Sequence, residues 1–207
     1  HVFVTHAHLD HILSLPLLLD SVSGQRDRPI ILHAAPETLA IMRGHVFNWL
    51  IWPDFNRIPN AEHPFLEYRS LVVGEPVRLG DREITAIPAN HTVPAVGFRL
   101  RGRQASLIFS GDTASHDALW NLAAATEDLT DLIVETSFTN DQAALATLSK
   151  HYCPATLGPD LSRVSADIRL WISHLKPGQE DAILAELNAA NPARRSSALR
   201  EDQCFEL

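Results

Sequence analysis

Three histidines and one aspartate lie within six positions of each other, directly after a short apolar run at residues 2–4. They are His6, His8, Asp10 and His11. Imidazole and carboxylate suit zinc, iron and manganese, and a strand sends alternate side chains to one face, so His6 and His8 can bind one ion. Asp10 and His11 follow where the chain turns and can face a second ion. A polar loop rich in histidine by chance is the weaker alternative, because four ligand-type residues share this spacing.

A chain of 207 residues fits one domain, and we predict a single domain over residues 1–207. The sequence begins at His1 and reaches the motif almost at once, so we expect an N-terminally truncated fragment. No apolar run reaches about 18 residues, so no membrane span is predicted. We expect a cytoplasmic protein, and the periplasm stays open because a signal peptide would precede His1.

The formal net charge of −8 disfavours a surface that holds a long polyanion, because such a surface needs clustered Lys and Arg. We therefore expect no nucleic-acid partner, although two divalent ions would make the local field positive. Cys153 and Cys204 lie far apart without CxxC spacing, so neither a thiolate zinc site nor a disulfide framework is predicted. We expect both to be buried thiols.

Apolar periodicity predicts strands that alternate with helices, which indicates layers of helix over sheet. In the first half we predict helices over residues 12–22 and 36–47, and strands over residues 2–4, 30–32, 77–79, 83–88, 96–100 and 106–109. In the second half we predict helices over residues 117–126, 141–150, 154–165 and 178–189, and strands over residues 132–134 and 169–172. Leu15, Leu18 and Leu19 form the predicted buried side of the first helix. Residues 191–200 are predicted to be loop-like, with a terminal strand at 204–205 as an option.

Three more ligand-type residues stand directly after predicted strands. They are His91, Asp112 and His174. Alone, each would be a structural polar residue, but a pair of ions needs more ligands than the first motif supplies. Gly111 fits a turn that brings the backbone close to a ligand, and the Asp112 carboxylate can bridge two ions.

Together these residues resemble the ligands of the metallo-β-lactamase-fold hydrolases, in which His-x-His-x-Asp-His is followed by a His, a bridging Asp and a last His, each at a strand end. The resemblance implies that one ion takes His6, His8 and His91, that the second takes Asp10, His11 and His174, and that Asp112 joins them. It implies an α+β fold, a four-layer αββα sandwich, whose two strands before the motif are absent from this sequence. It also implies two divalent metal ions, with zinc expected and manganese or iron as alternatives.

Within that superfamily the chain is similar to the class II 3′,5′-cyclic-nucleotide phosphodiesterases, whose His-x-His-Leu-Asp-His continues with an aliphatic residue, any residue, and Gly or Ser. The matching stretches are residues 6–14, 47–48, 51–55, 91–97, 109–113, 134–138 and 173–177. Pro16 departs from the expected continuation but touches no ligand. The resemblance implies hydrolysis of cyclic AMP, with cyclic GMP as a second substrate to test, by a hydroxide that lies between the two ions and attacks phosphorus.

The leaving 3′-oxygen needs a proton, and two residues are candidates for managing it. His151 and Glu135 resemble the histidine and glutamate that assist the leaving group in the related tRNA 3′-end nucleases. A packed or surface histidine is the alternative for His151. Asp10 either only holds metal or also accepts a proton from the nucleophile, and the sequence does not separate these two roles.

Other functions stay open at this point. A tRNA 3′-end processing endonuclease shares the ligand set but would want a basic RNA-holding arm, which the sequence lacks. A thioesterase or lactonase would direct the same centre at an acyl carbon, whereas a binding module without turnover would not need seven ligands. The aromatic residues Phe47, Trp49, Trp52 and Phe55 can stack on a purine, but core packing or a homodimer contact is their expected role.

Overall fold

The computed structural model describes residues 1–207, and the chain divides into two compact units. Unit 1 comprises His1–Val72 and Val93–Ala95, and unit 2 comprises Val73–Thr92 and Val96–Leu207. No helix in either unit is both long enough and apolar enough to cross a bilayer.

Unit 1 is built on a parallel three-stranded sheet in the order β1-β2-β3. The strands are β1 (Val2–Phe3), β2 (Ile30–Ala34) and β3 (Leu66–Ser70). The first two confirm predicted strands. The sequence analysis misses β3, because two of its residues are charged and only Leu66 is fully buried, so its apolar signal is weak.

Unit 1 contains three α-helices, the first of which includes Asp10 and His11. They are α1 (Leu9–Ile12), α2 (Ser14–Val22) and α3 (Pro36–Ile41), the last continued by a π-helical segment, Met42–Val46. The helix predicted to start at Ile12 therefore begins earlier and is interrupted at Leu13. Pro16 explains the interruption, because it lacks the N–H group that would bond to the carbonyl of Ile12.

The buried face of α2 is narrower than predicted. Leu15 and Leu19, one helical turn apart, are buried with the rest of the unit 1 core. Leu18 is 41% exposed, so its predicted place on the buried side was wrong. The buried face follows the four-residue spacing of Leu15 and Leu19, and Leu18 lies beyond its edge.

Unit 2 is built on a seven-stranded sheet in the order β10-β9-β8-β7-β6-β5-β4. Neighbouring strands from β4 to β7 are antiparallel, and those from β7 to β10 are parallel. The strands are β4 (Pro76–Leu79), β5 (Arg82–Pro88), β6 (Val96–Arg101), β7 (Ser106–Phe109), β8 (Leu129–Glu135), β9 (Arg169–Ser173) and β10 (Ser196–Ala198). All six strands that the sequence predicts in this unit are confirmed, with small differences at their ends.

Four helices belong to unit 2. They are α4 (Asp117–Ala125), α5 (Ala143–Ser149), α6 (Pro154–Leu161) and α7 (Glu180–Ala190). All four confirm predicted helices, although α6 ends before the predicted boundary at Ser165. Three of them, α4, α6 and α7, bury Trp120, Leu157 and Leu187 against the sheet in one core, whereas α5 packs Ala146 with Phe138 and Cys153 in a separate small cluster.

The end of the chain departs from the sequence analysis. β10 pairs with β9 inside the segment predicted to be loop-like, and residues 204–205 form no strand. β10 is a short polar strand, so periodicity gives no signal and its pairing depends on the neighbouring strand. Cys153 is buried as predicted, but Cys204 is exposed, so that part of the cysteine prediction was wrong.

Four strands of unit 2 end at the same edge of the sheet. β7, β8 and β9 are parallel, and β5 runs parallel to β7 because both are antiparallel to β6. The carboxyl ends of strands that run in one direction lie together. The chain therefore brings His91, Asp112, Glu135 and His174 to one edge, although they are far apart in sequence.

A buried carboxylate joins β8 and β9, two neighbouring parallel strands of this sheet. Asp131 on β8 has no exposed surface and accepts hydrogen bonds from Arg169 at 2.6 Å, Trp171 at 2.8 Å and Thr130 at 2.9 Å. Burial alone would raise the pKa of Asp131, but the three hydrogen bonds together outweigh it and lower the pKa below its usual value. The charged carboxylate therefore stabilises the folded chain.

Replacement of Asp131 with asparagine is expected to lower the free energy of unfolding by about 1–3 kcal/mol at about pH 7. The pKa of Asp131 is depressed on folding, so its contribution is present above the unfolded-state pKa, about 3.9, and is lost as pH falls through the lower folded-state pKa. Urea unfolding of the wild type and of Asp131→Asn, measured between about pH 7 and pH 2, checks this loss of stability. An undiminished difference at the acid end would contradict it, and Asp181→Asn at an exposed site is the matched control.

Candidate metal centre

Unit 1 places two imidazoles of the motif with their ring nitrogens facing each other. Nε2 of His6 lies 3.1 Å from Nδ1 of His8, and the two rings are nearly perpendicular. Nδ1 of His6 lies 3.0 Å from the hydroxyl oxygen of Thr5, and His6 is completely buried. Both residues lie in the irregular segment between β1 and α1, so the pair follows a short strand but is not part of it.

Asp10 and His11 form a second pair in the first turn of α1. Oδ2 of Asp10 lies 3.4 Å from Nε2 of His11, and the ring of His11 is 4.2 Å from that of His6 between centroids. The side chain of Asp10 is 68% exposed, whereas that of His11 is 19% exposed. This carboxylate is thus the ligand-type group of unit 1 that water reaches most easily.

Unit 2 brings its predicted ligands together at the sheet edge described above. Nε2 of His174 lies 3.4 Å from Oδ2 of Asp112. The segments that carry His91 and Asp112 are joined by a hydrogen bond from the backbone N–H of Asn90 to Thr113 Oγ1, at 2.9 Å. His91 and Asp112 are buried, and His174 is partly buried.

Backbone geometry aims two of these side chains. Gly111 has a φ of +59°, which glycine adopts without strain, so the turn predicted before Asp112 is confirmed. His174 itself has a φ of +58°, in the left-handed region that few residues other than glycine occupy. Such a conformation costs about 1 kcal/mol or more and is concentrated at functional sites.

A hydrogen bond sets the orientation of His91. Its Nδ1 lies 3.3 Å from the carbonyl oxygen of Lys150, so this nitrogen carries the proton and Nε2 carries the lone pair. The ammonium group of Lys150 in turn donates to the carbonyl of His91 at 3.0 Å. Lys150 is left-handed, with a φ of +55°, and the sequence analysis does not single it out.

Glu135 and His151 form a buried pair beside these residues. His151 Nδ1 lies 2.8 Å from Glu135 Oε1, and the carboxylate also accepts from the backbone N–H of Thr113 at 3.0 Å. Burial raises the pKa of Glu135 above its usual value, while the hydrogen bonds from His151 and Thr113 act against that rise. The His151 ring stacks on His174 at 5.1 Å between centroids.

The donor atoms fit divalent metal ions. Two ligand atoms that each lie about 2.1 Å from one tetrahedral ion are about 3.4 Å apart. The pairs within each unit meet that separation, at 3.1 Å for His6 and His8 and 3.4 Å for the pairs that contain Asp10 and Asp112. In unit 2, ligand atoms of His91, Asp112 and His151, and of Glu135, His151 and His174, form two further compact groups.

The aromatic segment after α3 serves mainly as core. Phe47 and Phe55 are buried, and Trp52 packs against them in part. Trp49 is 60% exposed with a φ of +67°. Core packing, the expected role, is confirmed for both phenylalanines.

A metal-binding fold with His and Asp ligands at strand ends is characteristic of the metallo-β-lactamase-fold hydrolases. The chain belongs to the family described as "Beta-lactamase superfamily domain", whose model matches residues 1–194. The predicted metallo-β-lactamase fold is thereby confirmed, and this fold implies divalent metal ions.

Three similar proteins illustrate the likeness. A probable 3′,5′-cyclic-nucleotide phosphodiesterase of Yersinia pestis is 26% identical over 220 residues, covering 91% of this chain and 62% of the relative. The crystal structure of unliganded yeast PDE1 has a TM-score of 0.81 at 23% identity and covers 96% of this chain and 66% of that one. The metallo-beta-lactamase fold protein YhfI from Bacillus subtilis has a TM-score of 0.77 at 16% identity. The match covers 99% of this chain and 77% of that one. The chain thus spans about three fifths of the length of the Yersinia relative.

Proposed function

We propose that the chain is the metal-binding part of a phosphodiesterase that hydrolyses 3′,5′-cyclic AMP to 5′-AMP. In this proposal the seven predicted ligands form one dinuclear centre. One ion would be held by His6, His8 and His91 and the other by Asp10, His11 and His174, and Asp112 would contribute its carboxylate to both. Zinc is the expected metal, and manganese or iron are the alternatives. The donor-atom separations within each unit and the family of the chain support this assignment.

When bound, two divalent ions would supply Lewis acidity, which lowers the pKa of water and neutralises charge that grows on a phosphoryl oxygen. The water oxygen bonds to phosphorus, the bond from phosphorus to the 3′-oxygen breaks, and the 3′-oxygen takes a proton. Asp10 is the carboxylate best placed to accept a proton from water, because its side chain is the most exposed of the acidic ligands.

The observation that carries the proposal is the buried pair of Glu135 and His151. A ribose 3′-oxygen is a poor leaving group unless it is protonated, so a phosphodiesterase needs a general acid. The carboxylate of Glu135 accepts a hydrogen bond from Nδ1 of His151, which leaves Nε2 as the ring nitrogen that can exchange a proton with the substrate. A thioesterase would not need this pair, because a thiolate leaves without a proton.

A small cyclic nucleotide suits the charge of the chain better than tRNA does. The formal net charge is −8, and a protein that holds several phosphates of a nucleic acid uses clustered Lys and Arg. The name of the Yersinia pestis relative supports the same substrate class.

The test offers cyclic AMP, cyclic GMP, a tRNA precursor and a thioester side by side to the full chain with added Zn²⁺ or Mn²⁺. We expect conversion of cyclic AMP to 5′-AMP, with no 3′-AMP, measured by chromatography of the products. Removal of metal with a chelator should abolish turnover, and addition of metal should restore it. Turnover of the tRNA precursor or the thioester alone would overturn the proposal.

A further inference from the structure

The hydroxyl of Ser137 contacts three side chains of the candidate centre. Its Oγ lies 2.6 Å from Nδ1 of His174, 3.1 Å from Oε2 of Glu135 and 3.2 Å from Nδ1 of His151. Ser137 has no exposed surface. We propose that Ser137 is a positioning residue, whose hydroxyl keeps the proton of the neutral His174 ring on Nδ1 so that Nε2 faces the metal. This inference rests on the proposed dinuclear centre and extends it.

The direction of the hydrogen bonds follows from what each neighbour can donate. The carboxylate of Glu135 accepts from the N–H of Thr113, from the N–H of Tyr152 at 3.4 Å and from His151. It can therefore only accept from Ser137 as well, which uses the single proton of the hydroxyl. The oxygen of Ser137 is then an acceptor toward His174, so Nδ1 of His174 must carry the proton.

The opposite side of the His174 ring shows why this matters. Nε2 lies 3.4 Å from Oδ2 of Asp112, a carboxylate that would itself accept a proton from Nε2. Two acceptors, Ser137 and Asp112, thus compete for the one proton of the neutral ring. A proton on Nε2 would block the atom that must bind metal.

Backbone contacts hold Ser137 in place for this task. Its N–H donates to the carbonyl of Tyr152 at 3.1 Å, and the N–H of Thr136 donates to the carbonyl of Ser173 at 3.1 Å. The ends of β8 and β9 are therefore joined directly beside the left-handed turn at His174. These contacts fix the hydroxyl relative to the His174 ring.

Ser137 is a different kind of partner from that of His91. His91 donates to a backbone carbonyl, that of Lys150. The hydroxyl of Ser137 continues to Glu135, which holds His151. Ser137 thus connects a metal ligand to the pair that handles the proton of the leaving group.

The tautomer of His174 in the metal-free chain tests the inference without any activity. In long-range ¹H–¹⁵N NMR spectra, we expect the wild-type neutral ring to carry its proton on Nδ1. Ser137→Ala should move the proton to Nε2, toward Asp112, and Ser137→Thr, which keeps a hydroxyl, should restore the Nδ1 form. The affinity for the Zn²⁺ ion that His174 would bind, measured by chelator competition, should fall about 10- to 100-fold in Ser137→Ala.

The control is Ser106→Ala, which removes a hydroxyl that is equally buried in the same sheet and has no hydrogen-bond partner. It should change neither the tautomer nor the Zn²⁺ affinity. A wild-type ring protonated on Nε2 would overturn the inference even if Ser137→Ala does not fold, as would an unchanged tautomer in Ser137→Ala. A chain that lacks cyclic AMP hydrolysis but shows the tautomer shift would refute the proposed function and leave this inference standing.

Discussion

Replacement of Asp112 with alanine is expected to reduce hydrolysis of cyclic AMP by at least about 10³-fold, because several kcal/mol of transition-state stabilisation would be lost. In the proposal, Asp112 is the one residue that would bind both ions. Its removal should therefore also lower the metal content below two ions per chain, measured by elemental analysis after gel filtration. No other single ligand is expected to affect both ions.

The structure of unit 2 explains why no neighbour can replace this carboxylate. Asp112 is buried and follows Gly111 in a turn that requires a positive φ. Oδ2 lies 3.4 Å from Nε2 of His174, the separation of two ligands on one ion. The nearby carboxylate of Glu135 is already surrounded by donors from Thr113 and His151.

Asp112→Asn tests whether the negative charge of Asp112, rather than the size of its side chain, is required. The amide keeps the size of the side chain but not its charge, so we expect metal loss and inactivity similar to those of Asp112→Ala. Asp181→Asn, at an exposed position on α7, is the matched control and should behave as wild type. Two ions per chain together with full turnover in Asp112→Ala would contradict both the ligand assignment and the function.

The strands and the positions of the candidate ligands at their ends could be predicted because apolar runs precede these residues. The run before Asp112 is a buried strand, and such strands read as continuous apolar segments in sequence, whereas in the strand before His174 burial alternates and Leu170 and Ile172 give the apolar signal. What periodicity does not give is which strands are neighbours. The common edge at which these residues lie depends on the strand order of the sheet.

The partners of the ligands could not be predicted for the same reason. Ser137 and His174 are 37 positions apart and meet only because β8 and β9 are adjacent and parallel. The contact between Lys150 and His91 spans 59 positions and needs a left-handed residue at the end of α5. A local motif gives the type of a side chain but not the atom that faces it.

The misses in the fold have a similar origin. β3 and β10 are short and carry polar or charged residues, so their pairing with β2 and β9 supplies what their sequences lack. The early start of α1 lies within the metal-ligand motif itself. There the sequence is dominated by residues chosen for chemistry rather than for helix formation.

Replacement of His151 with alanine is expected to reduce turnover of cyclic AMP by about 10²- to 10⁴-fold while metal content stays at two ions per chain. The expectation rests on the proposed general-acid role of His151, whose Nδ1 lies 2.8 Å from Oε1 of Glu135. The alternative is a ligand role, because donor atoms of His91, Asp112 and His151 lie within 4.8 Å of one another. Loss of metal from His151→Ala would favour that alternative.

A change of leaving group separates a general acid from a residue that only supports the fold. Nitrophenolate is a stable anion and leaves without a proton, so His151→Ala should hydrolyse a bis-nitrophenyl phosphodiester within about tenfold of the wild-type rate. His63→Ala, at an exposed position outside the ligand set, is the control and should match wild type on both substrates. A general loss of structure would slow both substrates alike, whereas loss of the proton donor slows only the ester whose oxygen must be protonated. Equal losses on the two substrates would therefore contradict the general-acid role of His151. They would also contradict the proposed role of Glu135 in supporting it.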